Sequence, residues 1–141
     1  LKLKDTDQYC VVSFHTISSN SEDYYTKEEL EEIGVIEGEI QRLLPDEHIY
    51  RNLNQIVCIH EIKPGETQAG FREEMEKLYQ TVQKQIFHRN KTTDFQIGIG
   101  SIVNGYGDLK KSFKDSKKII DYMDMLRYLY GDKNISVADF F

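Results

Sequence analysis

The stretch that most constrains the fold is residues 95–123, FQIGIGSIVNGYGDLKKSFKDSKKIIDYM. Its first apolar residues alternate with polar or glycine positions, which is the period of two that a β-strand requires. Gly98 and Gly100 fall on one face of that strand. Because they lack a Cβ, a helix or a neighbouring backbone can approach that face closely.

A turn and then a helix follow this strand. Asn and Gly at residues 104–107 break the strand, and Asp108 stands where a helix cap would be. Residues at spacings of four, three, four and three then form one stripe of an amphipathic helix: Leu109, Phe113, Ser116, Ile120 and Met123. A strand–turn–helix unit of any α/β domain would fit this bare pattern.

The particular residues resemble the closing part of the GGDEF-like domain of bacterial transcription regulators. In that family the strand ends in Gly-Ile-Gly, as at residues 98–100, and the helix opens with Leu109, Ser112 and a small residue, here Ser116. Ser116 departs from the Ala that is usual there. These regulators are of the purine-catabolism and sugar-diacid types, with relatives ahead of AraC-type DNA-binding domains. Residues 131–141 also look like the family's last strand and its exit toward the next domain.

Length and composition indicate one acidic domain. The chain has 141 residues, enough to bury roughly two-thirds of its unfolded surface. A formal net charge of −6 argues against a nucleic-acid surface, and no apolar run approaches the ~20 residues of a membrane span. Cys10 and Cys58 lie in apolar runs, so we expect buried, reduced thiols in a cytoplasmic protein.

The order of elements predicts an α+β fold, an α/β sandwich. We expect a linker at residues 1–7 and a single GGDEF-like domain at residues 8–141. The predicted elements are a strand at 9–17, a helix from a capping box at 26–29 to Pro45, strands at 48–51 and 55–62, a helix over 71–86, the strand and helix of 95–123, and a strand at 134–137. This β-α-β-β-α-β-α-β order is ferredoxin-like and matches the GGDEF palm, with a mainly antiparallel sheet.

Resemblance to this family raises synthesis of a cyclic dinucleotide as a hypothesis, and the hairpin residues argue against it. In the cyclases the hairpin reads R-Y-G-G-D-E-F, and carboxylates there and on the first strand hold Mg²⁺ against the triphosphate. Aligned at residues 50–56, Asn52 and Leu53 replace both glycines, while Asn54 and Gln55 replace both acids. The first strand carries no Asp or Glu either. We therefore expect no catalysis, no metal and no cofactor.

Other candidate sites have less support. His15 and His60 could lie on neighbouring strands with Cys58 beside His60, but a metal needs three or four converging ligands. The apolar neighbours of Cys58 would raise its pKa and make it a poor nucleophile. Ser112 and Ser116 are interpreted as a cap region and a packing residue, and the lysines of the third helix as a solvated face.

These observations favour a non-catalytic signalling and dimerisation domain of a bacterial transcription regulator. We expect a homodimer that relays an upstream signal to a helix-turn-helix domain, with no contact of its own to DNA or membrane. The alternative is a small-molecule-binding module, in which the remnant cleft at residues 52–55 binds a nucleotide or metabolite. An enzyme with another site is a third hypothesis. The apolar run at residues 123–129 is either the buried end of a helix or a docking patch.

Overall fold

The computed structural model describes residues 7–17, 27–52, 55–88, 94–130 and 136–139. Its elements are β1 (Gln8–Ile17), α1 (Lys27–Leu43), β2 (His48–Asn52), β3 (Gln55–Glu61), α2 (Gln68–His88), β4 (Asp94–Ile99), β5 (Val103–Asn104), a 3-10 turn (Tyr106–Asp108), α3 (Leu109–Tyr130) and β6 (Val137–Asp139). The predicted α+β class is confirmed. Most of the expected linker, and Thr26 of the expected capping box, lie outside the described residues.

The strands form one mostly antiparallel sheet in the order β2-β3-β1-β4-β6, with β5 pairing with β1. Among the strand pairs of the described residues, only that of β4 with β6 is parallel. β1 lies at the centre and β3 beside it, as their length and apolar content predict. Both strands are therefore covered by neighbours rather than lying at an edge.

One face of the sheet is covered by α1 and α2. Their apolar stripes pack against side chains of β1, β3 and β4 in a single core. Its helix members are Ile36, Ile40, Phe71, Met75, Leu78, Val82 and Ile86; its members on those three strands are Cys10, Val12, Phe14, Ile56, Cys58, Phe95, Ile97 and Ile99. Within α1, Ile33, Ile36 and Ile40 are buried, whereas Leu30 near its start is exposed.

The opposite face is covered by α3, which lies over β1 and β4. The predicted stripe of this helix is correct at Ser116 and beyond and wrong before it. Leu109 and Phe113 are only half-buried, whereas Ser112 and Asp115 are buried. The glycines of β4 explain the difference, because they bring the helix too close for large side chains to fit between.

Two further details correct the sequence-based expectations. The last strand is Val137–Asp139, extending two residues beyond the predicted end, because pairing with β4 sets its register and places Val137 opposite Ile97. Residues 134 and 135 of the predicted strand lie outside the described residues. The short strand β5 was not predicted; it forms because β1 extends beyond the end of β4 and pairs there with Val103 and Asn104. Among the described helices, none is long and apolar enough to cross a membrane.

Candidate functional site

The β2–β3 hairpin carries the positions that align with the cyclase signature. Asn52 ends β2, one residue later than predicted, and lies opposite Gln55, the first residue of β3. Leu53 and Asn54, between them, lie outside the described residues. Arg51 fastens this end of the hairpin to α1, donating to Glu37 at 3.2 Å and to the Leu30 carbonyl oxygen at 3.3 Å. The hairpin end is thus held by a residue next to the signature glycine positions.

Four neutral polar side chains line up across the sheet beside this hairpin. Asn52 lies opposite Gln55, Gln55 opposite His15, and His15 opposite Gln96 of β4. Residues directly opposite one another share a face of the sheet, and here it is the face that α3 covers. We call Asn52, Gln55, His15 and Gln96 the polar row. It holds amides and an imidazole but no carboxylate.

Burial of His15 favours the neutral form of its imidazole. Burial lowers its pKa from the ordinary 6.5. Charged groups of α3 act on it in opposite directions: Asp124 and Asp121 raise its pKa, and Lys117 and Arg127 lower it. The polar row therefore offers hydrogen-bonding groups without net charge, which suits neither Mg²⁺ nor a triphosphate.

Gln96 is the most unusual member of the row. Its side chain is fully buried, and neither its amide nitrogen nor its amide oxygen has a hydrogen-bond partner among the described residues. Leaving a buried polar group unsatisfied costs about 1–3 kcal/mol. In the sequence, Gln96 is simply a polar position in the alternating pattern of a strand. Its alignment with His15 and Gln55 depends on how the strands pair, which no local pattern predicts.

The residues that carry the family resemblance form a different structure, between α3 and the sheet. A Cβ on Gly98 would lie 2.6 Å from the carbonyl oxygen of Ser116, and a Cβ on Gly100 would overlap that of Ser112. The predicted close approach is confirmed. We call Gly98, Gly100, Ser112 and Ser116 the glycine–serine seam.

Hydrogen bonds fasten the seam. The Val11 amide donates to Ser112 Oγ at 2.8 Å, and Ser112 Oγ donates to the Ser101 carbonyl oxygen at 2.6 Å. The hydroxyls of Ser13 and Ser116 lie 2.7 Å apart. The interpretation of Ser112 as part of a helix cap is wrong: it takes the place of a strand partner at the gap between β4 and β5. Ser116 is a packing residue, as predicted.

A polar contact at the rim extends this seam. Ser101 Oγ donates to Asp115 Oδ2 at 2.6 Å, and Lys111 Nζ lies 3.0 Å from the same oxygen. The other lysines of α3 are exposed, as predicted for a solvated face. The serines bind backbone groups, each other or this carboxylate, an arrangement that joins helix to sheet.

The two histidines considered as metal ligands do lie on neighbouring strands, but far apart. His15 lies opposite Gln55, whereas His60 lies opposite Cys10 at the other end of the pair and on the other face. Among the described residues, no group of three or more His, Cys, Asp or Glu side chains is placed to hold a metal ion. The hypothesis of a site formed by His15, His60 and Cys58 is therefore wrong.

His60 instead joins two carboxylates. Its Nδ1 lies 2.5 Å from Glu47 Oε1, its Nε2 lies 2.8 Å from Glu66 Oε2, and its ring stacks on Phe71 with centroids 4.1 Å apart. We call Glu47, His60 and Glu66 the histidine clasp. It ties the segment before β2 and the segment after β3 to the strand itself.

Electrostatics in and around the clasp follow from burial and its carboxylates. Burial opposes the charged form of His60, but Glu47 and then Glu66 outweigh it, so the pKa of His60 is raised above 6.5. Burial also raises the pKa of Cys10 and of Cys58, and both are free thiols. The prediction of buried cysteines without a disulfide is confirmed.

Comparison with known proteins adds one finding. A family model described as a GGDEF-like domain matches residues 1–122, a range that includes the polar row, the seam and the clasp. Neither a curated protein nor a solved structure matches the chain.

Proposed function

The chain belongs to the GGDEF-like domain family, and from this premise we propose that it is a non-catalytic signalling domain. It acts in a bacterial transcription regulator, where it holds two protomers together and relays an upstream signal to a DNA-binding domain. The observation that carries this proposal is the neutral polar row, which lies where a cyclase needs carboxylates.

The chemistry of cyclic dinucleotide synthesis supports this reading. Mg²⁺ is a hard cation that is bound by carboxylates and by the phosphates of the substrate. At the aligned positions this chain has Asn52 for a glycine and Gln55 for an acid, and β1 contributes His15 rather than Asp or Glu. An amide keeps the shape of a carboxylate but loses the charge, so the triphosphate would remain unneutralised.

A relay role is supported by the glycine–serine seam. Ser112 and Ser116 fasten α3 to β1, and the glycines of β4 bring the same helix against the neighbouring strand. A helix hydrogen-bonded to one strand and closely packed against the next moves with the sheet as one body, and coupling between sites needs such contiguous, rigid contacts.

The test is incubation of the domain with GTP and Mg²⁺, beside an active diguanylate cyclase as a positive control. We expect no cyclic dinucleotide above a blank. The double variant Asn54→Asp/Gln55→Glu should also stay inactive, because Leu53 and the first strand are unchanged. Product from the unmodified domain would contradict the proposal.

A second function, binding of a small neutral molecule in the polar row, is favoured by Gln96. Its unsatisfied amide could pair with a ligand that both donates and accepts hydrogen bonds, as a nucleobase does. NMR can follow the Gln96 side-chain amide while guanosine is added. A saturable shift that Gln96→Leu abolishes would support this function; an unchanged signal at millimolar guanosine would speak against nucleobase binding.

A further inference from the structure

The second half of α3 carries a run of apolar side chains that the domain does not bury. Within Tyr122–Tyr130 only Asp124 and Arg127 are charged. Met123 is buried, but four other side chains are widely exposed: Tyr122 at 52%, Met125 at 49%, Tyr128 at 88% and Leu129 at 59%. A helix that is apolar on nearly all sides is normally buried, and Tyr and Met are enriched in protein interfaces. This segment therefore has the composition of a contact surface.

The outward side of α3 is an alternating stripe of charge and apolar surface. Residues at spacings of four, three, four and three lie opposite the buried seam, and all are exposed: Lys114, Lys118, Asp121, Met125 and Tyr128. We call these five residues the outer stripe. Its first half is basic, and its second half is acidic and apolar.

The distribution of charge on the helices indicates that the partner of the outer stripe is the α3 helix of a second copy. α1, on the other face of the sheet, carries six glutamates against one lysine and one arginine, so two copies would repel through it. α3 carries five lysines and one arginine against three aspartates, with the signs separated along its length. Two α3 helices crossing antiparallel about a two-fold axis place the lysines of each beside Asp121 of the other, because such an interface uses the same patch twice.

An arrangement of α3 against α1 of a second copy fits less well. Such a contact would pair the lysines of α3 with the glutamates of α1. However, Leu30 is the one large apolar side chain of α1 that is exposed, so α1 offers little apolar surface to α3. The apolar residues of α3 would then stay in water. In the antiparallel α3 pair, Met125 covers the aliphatic stem of Lys118 of the second copy while the ammonium reaches Asp121.

We infer that the outer stripe of α3 is a homodimer interface, in which Lys118 of each protomer pairs with Asp121 of the other and Met125 supplies the apolar contact. This inference rests on the proposed function, since it names the surface through which the signalling domain dimerises. It places the dimer contact on the helix that the seam fastens to β1 and β4, so that any shift of the sheet moves the contact between protomers.

The test is sedimentation equilibrium of the whole chain over a wide concentration range. We expect a monomer–dimer equilibrium whose Kd rises at least about tenfold in Met125→Glu, equivalent to about 1.4 kcal/mol. Leu30→Glu is the matched control, because Leu30 is an exposed apolar residue of α1, which lies on the opposite face of the sheet from α3; its Kd should stay within about twofold. All three positions in the stripe variants are exposed, so melting temperatures measured at concentrations where the wild type is monomeric should not change.

A charge exchange makes the geometry testable. Lys118→Asp and Asp121→Lys should each weaken the dimer, and the double variant Lys118→Asp/Asp121→Lys should restore it, since each new aspartate again faces a new lysine. A dimer unaffected by Met125→Glu, or a wild-type chain that stays monomeric at the highest concentration, would overturn the interface. If the chain is monomeric and makes no cyclic dinucleotide, the proposed interface is wrong but the proposed absence of catalysis is supported. If the chain dimerises through α3 and converts GTP to a cyclic dinucleotide, the interface is supported and the absence of catalysis is wrong.

Discussion

The two faces of the sheet are covered by opposite kinds of packing. On the α1 and α2 side, large apolar side chains from helices and strands meet in one core. On the α3 side, glycines of β4 and serines of α3 bring backbones into contact, and hydrogen bonds cross the interface. Apolar contact is non-directional and stabilises by area, whereas hydrogen bonds fix one register. One face therefore supplies most of the stability, and the other fixes the position of a helix.

The largest effect expected on the apolar side comes from the histidine clasp at its edge. His60→Gln leaves the carboxylates of Glu47 and Glu66 mostly buried without a cation between them. We expect the free energy of unfolding to fall by about 4 kcal/mol at pH 6, since removing one partner of a buried pair leaves an uncompensated charge. Urea denaturation measures this change in the free energy of unfolding. His48→Gln, on β2, is the control, and we expect it to lower the free energy of unfolding far less.

The pH dependence of the clasp has a definite sign. Because the folded-state pKa of His60 lies above its ordinary 6.5, protonated His60 stabilises the fold fully below pH 6.5. That contribution is lost as pH rises through the folded-state pKa. The gap in stability between wild type and His60→Gln should therefore narrow above neutral pH. Parallel curves from pH 5.5 to pH 9 would show that folding leaves the pKa of His60 unchanged.

On the α3 side, the largest effect should come from a single methyl group. Gly100→Ala places a Cβ into the carbonyl oxygen of Ser112, a backbone atom that cannot rotate away. Overpacking of this kind costs up to about 3 kcal/mol. Gly38→Ala in α1 is the matched control, because nothing lies within 4 Å of its Cβ; it should gain up to about 1 kcal/mol in helix propensity. Equal losses in both variants would contradict the close-contact account.

The smallest effect concerns the paired hydroxyls of Ser13 and Ser116. Ser116→Ala should cost about 1 kcal/mol, because the buried Ser13 hydroxyl then loses its partner. The double variant Ser13→Ala/Ser116→Ala should recover most of that loss, since removing both partners leaves nothing unsatisfied. Additive losses in a double-mutant cycle would mean that the two hydroxyls do not interact.

Sequence reasoning found what is local and missed what depends on register. The period of two and the absence of a Cβ at Gly98 and Gly100 are local features, so the strand and its close neighbour were predicted correctly. The polar row joins His15 to Gln96 across strand pairs, and the clasp joins His60 to residues from two connecting segments. No spacing in the chain marks those contacts.

Ser112 is a residue whose role the sequence predicted wrongly, because its partner lies on another strand. A serine in the first turn of a helix is most often part of a cap, and that is how the sequence reads. Its actual partner is the amide of Val11, left open because β4 ends before β5 begins. A gap in a sheet leaves no trace in either segment alone, so the role of Ser112 becomes visible only in the folded chain.

Hydrogen exchange at the Val11 amide reports whether the seam fastens α3 to the sheet. In the wild type the Val11 amide donates to Ser112 Oγ and should exchange as slowly as the core of β1. Ser112→Ala removes that acceptor, and we predict exchange at Val11 at least about tenfold faster relative to its β1 neighbours. Unchanged exchange at Val11 in Ser112→Ala would contradict this role of the seam.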